Sequence, residues 1–207
     1  MKIIKGTIDS KVVKLSQPDA VKYIRNQQTL GIIGGEFAIT YDADELPIST
    51  LLGSCVAVMV YDHLLHVKAM NHFLLPTSCA QGVSCRFGLN AMETMLNEMY
   101  KLGCQKKNLS AKIAGGANIL YDLGENIGER NVIFARNFCK AEGIRVVAEN
   151  VLGKNGRVVM LDKDFETIVR TISNHSMDDR IARAEKTLAN VVNKNETAIQ
   201  SESITFF

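Results

Sequence analysis

Ser49-Thr50-Leu51-Leu52-Gly53-Ser54-Cys55-Val56-Ala57-Val58-Met59-Val60-Tyr61 carries a hydroxyl pair into a Gly-Ser turn and then into an unbroken apolar segment. A run of this kind bounded by turn residues reads as a strand, about Cys55 to Tyr61. Asp62 is a turn residue. A second apolar segment, about Leu65 to Leu75, returns with His72 near its end and Pro76 beyond it. A two-residue turn centred on His63-Leu64 sets Cys55 directly opposite His72. Opposed residues of an antiparallel pair have Cβ atoms about 4.5–5.5 Å apart, which brings the imidazole within reach of the sulfur. His63 and His66 lie at the turn and read as solvated.

A thiol with an ordinary pKa of about 8.5 is only a few per cent ionised at neutral pH. An adjacent imidazole can take its proton, hold the thiolate as an ion pair and later protonate a leaving group. The imidazole in turn needs a third group to fix its orientation, and a hydroxyl from Ser49 or Thr50 suits that role. Gly53 permits a sharp turn, and backbone N–H groups around Ser54-Cys55 can form an oxyanion hole. Spacing alone leaves a second reading open, in which Cys55 is a small apolar residue packed at a strand start.

With 207 residues, 46% hydrophobic and 22% charged, the chain has the composition of a soluble globular domain with appendages. A net charge of +2 calls for neither nucleic acid nor an anionic membrane as partner. No apolar run approaches the roughly 18 residues of a membrane span. Residues 1–13 lack the apolar core of a signal peptide, so a cytoplasmic location is expected. The five cysteines, Cys55, Cys79, Cys85, Cys104 and Cys139, are odd in number and include no CxxC, which speaks against a disulfide framework. Cys79 and Cys85 with His72 match none of the common zinc spacings, so no metal is expected.

Residues 1–33 read as a lead-in, with Ser16, Pro18 and Asp19 opening a short helix to about Asn26. Glu36 to Tyr41 reads as a strand, followed by an acidic loop, Asp42 to Glu45. Beyond a polar loop from Thr77 to Cys85, Arg86 to Lys101 has helical spacing, with Leu89, Met92, Met95, Leu96 and Met99 as core positions. Lys112 to Asn118 reads as a strand ending in the tight turn Gly115-Gly116, where another backbone or a ligand can approach closely. A helix follows from about Glu129 to Ala141. Ile144 to Val151, Arg157 to Leu161 and Glu166 to Ile172 read as three strands, most simply a meander. Asp178 to Asn193 is an amphipathic helical segment with Ile181, Ala184, Leu188 and Val191 or Val192 on one side, followed by a polar, mobile tail ending in Phe206-Phe207.

Leu52-Gly53-Ser54-Cys55-Val56-Ala57-Val58 and His72-Phe73-Leu74-Leu75-Pro76 resemble the chemoreceptor glutamine deamidases, the CheD family. The likeness continues through Lys112-Ile113-Ala114-Gly115-Gly116-Ala117-Asn118, Ile127-Gly128-Glu129-Arg130-Asn131 and Gly143-Ile144-Arg145-Val146-Val147-Ala148-Glu149. The resemblance implies an α+β fold, an α/β sandwich of mixed sheets flanked by helices like that of toxin deamidases. It divides the chain into an N-terminal extension (1–33), a deamidase domain (34–172) and a C-terminal helical extension and tail (173–207). It further implies hydrolysis of glutamine side-chain amides in methyl-accepting chemotaxis receptors by a Cys-His-Thr triad, without cofactor. Cys55 matches the nucleophile and His72 the base. The threonine position falls on Ser49, with Thr50 one residue later. A CheC-type CheY-phosphate phosphatase is a partner of the family in some systems. A binding module without turnover on the same fold, and a cysteine protease or acyltransferase, are the competing readings.

Overall fold

The computed structural model describes residues 3–7, 12–15, 21–24, 27–41, 46–75, 86–119, 126–172, 179–190 and 193. In chain order the first strands are β1 (Ile3–Thr7), β2 (Val12–Leu15), β3 (Val21–Ile24), β4 (Gln27–Gly31), β5 (Glu36–Thr40) and β6 (Ile48–Leu52). The hairpin strands β7 (Val56–Asp62) and β8 (Val67–Asn71) follow, then α1 (Arg86–Lys101), β9 (Leu109–Gly115) and α2 (Ile127–Ala141). The chain continues with β10 (Arg145–Val151), β11 (Arg157–Leu161), β12 (Thr167–Thr171) and a last helix, α3 (179–190).

Among the described residues these make two sheets. One has seven strands in the order β10-β9-β7-β8-β5-β1-β2, the other five in the order β12-β11-β6-β4-β3. β7 shows why they stack. Val56, Val58 and Val60 point to one side, into a core shared with Met92, Met95 and Met99 of α1 and Val132, Ala135 and Phe138 of α2. Cys55, Ala57 and Met59 point to the other side, against Ile48 and Leu52 of β6 and Val159 and Leu161 of β11. A strand covered on both faces reads as continuous apolar sequence, which is what Val56 to Tyr61 is. The result is a sandwich of helices, seven-stranded sheet and five-stranded sheet, as the α+β expectation held. The methionines of α1 are core.

Four expectations change. The lead-in contributes strands to both sheets: β1 pairs with β5, and β4 pairs in parallel with β6. Val21–Ile24 is a strand rather than part of a helix, and its partner β4 supplies the reason, a backbone ladder from Val21–Leu30 to Ile24–Gln27. The three strands after Gly143 are not a meander. β10 pairs in parallel with β9 after the α2 crossover, whereas β11 and β12 belong to the other sheet. Parallel neighbours require such a crossover, and the helix between them supplies it. The fourth change is the hairpin register. The turn spans His63–His66, and the ladder pairs Met59 with Met70 and Asp62 with Val67, extended by a bridge from Val56 to Phe73. Cys79, Cys85 and the tail after Asn193 lie outside the described residues.

Candidate active site

The site forms where the chain changes sheets. β6 ends at Leu52 in the five-stranded sheet, and β7 begins at Val56 in the seven-stranded one. Gly53-Ser54-Cys55 is the crossing. Ala117 N–H donates to Gly53 O at 2.7 Å, and Gly116 N–H donates to Cys55 O at 2.8 Å. That second contact explains the Gly-Gly turn. Gly115 has φ +113°, and a Cβ there would lie 2.2 Å from Cys55 O. No side chain fits such an approach.

His72 lies just beyond β8, and its backbone is held on both sides. Its N–H donates to Glu36 O at 2.9 Å, and its carbonyl accepts from Gly35 N–H at 2.8 Å. The register shift of two residues moves Cys55 and His72 from directly opposed to diagonal. A shift of two preserves the face, so both still point into the space between the sheets. Cys55 Sγ, a ring nitrogen of His72 and a carboxylate oxygen of Glu185 all lie within 4.8 Å of one another.

The hydroxyl that meets His72 is that of Thr50. Its Oγ1 lies 2.7 Å from His72 Nδ1 and donates to Ile32 O at 2.9 Å. A hydroxyl has one proton. With that proton on Ile32 O, Thr50 accepts from His72 Nδ1–H, which leaves Nε2 of the neutral ring as the acceptor. Ser49, the position the family pattern favoured, faces away from His72. Its Oγ pairs with Thr29 Oγ1 at 2.8 Å. Strand alternation is the cause: Ile48, Thr50 and Leu52 share the inward face of β6, and Ser49 and Leu51 share the other.

Two further residues join the site from far along the chain. Asn131 of α2, fully buried, donates its side-chain N–H to Ser54 O at 2.8 Å and accepts Leu75 N–H at 2.9 Å. One amide thus ties the Cys55 loop to the segment after His72. The second is Glu185 of α3, 5% exposed. Its Oε1 accepts the N–H groups of Gly53 (2.9 Å) and Cys55 (3.0 Å). Its Oε2 accepts Ser54 N–H (2.7 Å) and Ser54 Oγ–H (2.6 Å). Three successive N–H groups that converge on one carboxylate form an anion cradle. Both residues had a legible signal, a polar side chain set within an apolar helix face.

Burial raises the Cys55 thiol well above its ordinary range, and the neighbouring Glu185 carboxylate raises it further. Cys55, His72 and Glu185 offer the donor types of a metal site, yet both carboxylate oxygens already face N–H and O–H donors. A cation there would meet the positive ends of those dipoles, so the set fits an anion or oxyanion and does not fit a metal.

A family model described as CheD chemotactic sensory transduction matches residues 74–171. A protein of Ruegeria sp. (strain TM1040), named "Probable chemoreceptor glutamine deamidase CheD 1", is 38% identical over 157 residues, 75% of this chain and 81% of that protein. The chain belongs to the CheD family. CheD relatives from Shewanella oneidensis, 38% identical over 74% of this chain and 82% of theirs, and from Janthinobacterium sp. (strain Marseille), 41% identical over 72% and 77%, carry the same deamidase name. The CheD model span includes Asn131 and begins two residues after His72, so Cys55, His72, Thr50 and Glu185 lie outside it.

Proposed function

We propose that the chain hydrolyses the side-chain amide of glutamines in chemoreceptors to glutamate and ammonia, with Cys55 as nucleophile, His72 as general base and acid, and Thr50 as the residue that orients His72. The observation that carries this reading is the Thr50–His72 hydrogen bond beside Cys55, at the mouth of a cradle of N–H groups. His72 Nε2 takes the thiol proton, and Cys55 Sγ attacks the carboxamide carbon. The carbonyl oxygen becomes an oxyanion held by the N–H groups of the 53–55 loop. His72 protonates the departing ammonia, which leaves a thioester on Cys55. Water, deprotonated by His72, attacks that carbon and releases glutamate with the thiol restored.

No described helix is long and apolar enough to cross a membrane. The proposed site of action is cytoplasmic, on the receptors' inner domains. A CheC-type phosphatase is a proposed partner. A second reading, a chemotaxis binding module without turnover, draws support from the complete burial of Cys55. Ammonia release from a receptor cytoplasmic fragment separates the two. The deamidase reading expects release by the native chain and none by Cys55→Ala. Binding of the fragment without release by the native chain would favour the module.

A further inference from the structure

We propose that α3 is an internal product mimic: Glu185 presents to Cys55 and His72 the carboxyl group that hydrolysis of a glutamine amide leaves behind, and the helix must lift away before a substrate side chain can enter. The proposal rests on the deamidase reading of the site.

Glu185 has the side chain of a deamidated glutamine, and a carboxylate oxygen of it lies within 4.8 Å of Cys55 Sγ and of a ring nitrogen of His72. A carboxylate is acceptor-only, and here it meets four donors, the N–H groups of Gly53, Ser54 and Cys55 and the Ser54 hydroxyl. A carboxamide turns one oxygen into an NH₂ donor, which cannot accept from Ser54 N–H. The cradle therefore holds the acid better than the amide. The same N–H groups would have to stabilise a substrate oxyanion, so Glu185 and substrate compete for them.

α3 is docked by one face. Ile181 and Ala189 are buried one turn on either side of Glu185, and Leu188 packs against the same core. Leu188 Cδ2 comes within 2.2 Å of where a Cβ on Gly34 would be. An isolated helix of a few turns is marginal alone in water, so the order of α3 depends on this seat and it can be displaced by a competitor. With α3 seated, Cys55 is 0% exposed and Ser54 1% exposed. No substrate amide reaches the sulfur in this arrangement. The raised Cys55 thiol agrees with a resting state, since burial first and the carboxylate beside it second disfavour the thiolate.

The test uses the full chain with Ile181→Asp, which places a charge under the helix without altering the cradle, and with Glu185→Ala, which removes the mimic. Circular dichroism and thermal melting establish that each variant folds. Two rates are read: alkylation of Cys55 by iodoacetamide without substrate, followed by peptide mass spectrometry, and ammonia release from a receptor fragment. Both variants are expected to raise both rates by about tenfold or more, the effect of removing an occupant that covers the site most of the time. Unchanged Cys55 alkylation in both variants, with native turnover retained, would overturn the mimic alone. Loss of turnover in Glu185→Ala would do so too, by assigning Glu185 to the working site. Faster alkylation with no ammonia released by any form would overturn the deamidase reading and the mimic with it.

Discussion

Thr50 Oγ1 lies 2.7 Å from His72 Nδ1 and donates its own O–H to Ile32 O. This chain of two bonds fixes both the tilt and the tautomer of the imidazole. Thr50→Val keeps the shape and removes the acceptor. A hydrogen bond that strengthens as His72 becomes charged is worth about 1.5–3 kcal/mol, so kcat should fall by about 10–100-fold with little change in KM. Thr50→Ser should recover most of the rate, and Ser49→Ala should leave kcat within about twofold, because Ser49 pairs with Thr29. Steady-state ammonia release measures all three. A larger loss in Ser49→Ala than in Thr50→Val would reverse the assignment.

Asn131 should matter to folding more than its distance in sequence from Cys55 suggests. Asn131→Ala strands Ser54 O and Leu75 N–H in the interior, at about 1–3 kcal/mol for each. The melting temperature should fall by about 4–24 °C. Asn131→Asp keeps the acceptor for Leu75 but sets a buried carboxylate oxygen against Ser54 O, so its melt should fall at least as far as that of Asn131→Ala. A melt unchanged in Asn131→Ala would show that water replaces the amide.

The buried thiols give the stability a predictable alkaline slope. Burial, with Asp62 nearby, pushes Cys104 up to about 12, and burial pushes Cys139 up to about 11, each from 9.0. Above pH 9 the unfolded chain releases these protons while the folded chain retains them. The folded state is then disfavoured, and stability falls as pH rises from about 9 towards 12. Cys104→Ala should flatten this decline relative to the native chain in urea titrations at pH 8, 9 and 10. An equal slope in both proteins would mean that Cys104 ionises in the folded state.

Glu185→Gln turns the seated side chain from a product group into a substrate group. Cys55 Sγ then lies beside a carboxamide carbon. Attack forms the S–C bond, ammonia leaves with a proton from His72, and water returns the side chain to glutamate. Intact-mass analysis of the purified variant should therefore show the amide-to-acid change on incubation, and none when Cys55→Ala is combined with it. A permanent amide in the Cys55-containing variant would show that the carboxamide, held less well than the acid, does not present its carbon to the sulfur.

Much of this site is legible in the sequence, for local reasons. The apolar run after Cys55 and the helical methionine spacing of α1 depend on neighbours close in sequence. The hairpin register did not follow, because turn length is a tertiary choice and the turn took four residues instead of two. The error was even, so Cys55 and His72 stayed on one face. Thr50 was within reach of a parity argument, since Ile48 and Leu52 flank it on the inward face. The sheet assignments of β10 and β11 were not, because strands of similar composition fit either sheet and only α2 and the Gly153 turn sort them. Glu185 does not emerge from apolar spacing, for a different reason. Apolar spacing put Ala184 on the buried side of α3, but Ala184 is exposed and Glu185 takes the central buried place. Four donors about 130 residues away outweigh the usual aversion of a carboxylate to burial.

The most direct test of the account is the intact mass of a glutamine-bearing receptor fragment after incubation with the full chain and with Cys55→Ala. The account predicts stepwise conversion of amide to acid with the peptide backbone whole, dependent on Cys55. Equal conversion by Cys55→Ala, or cleavage of the fragment, would contradict it.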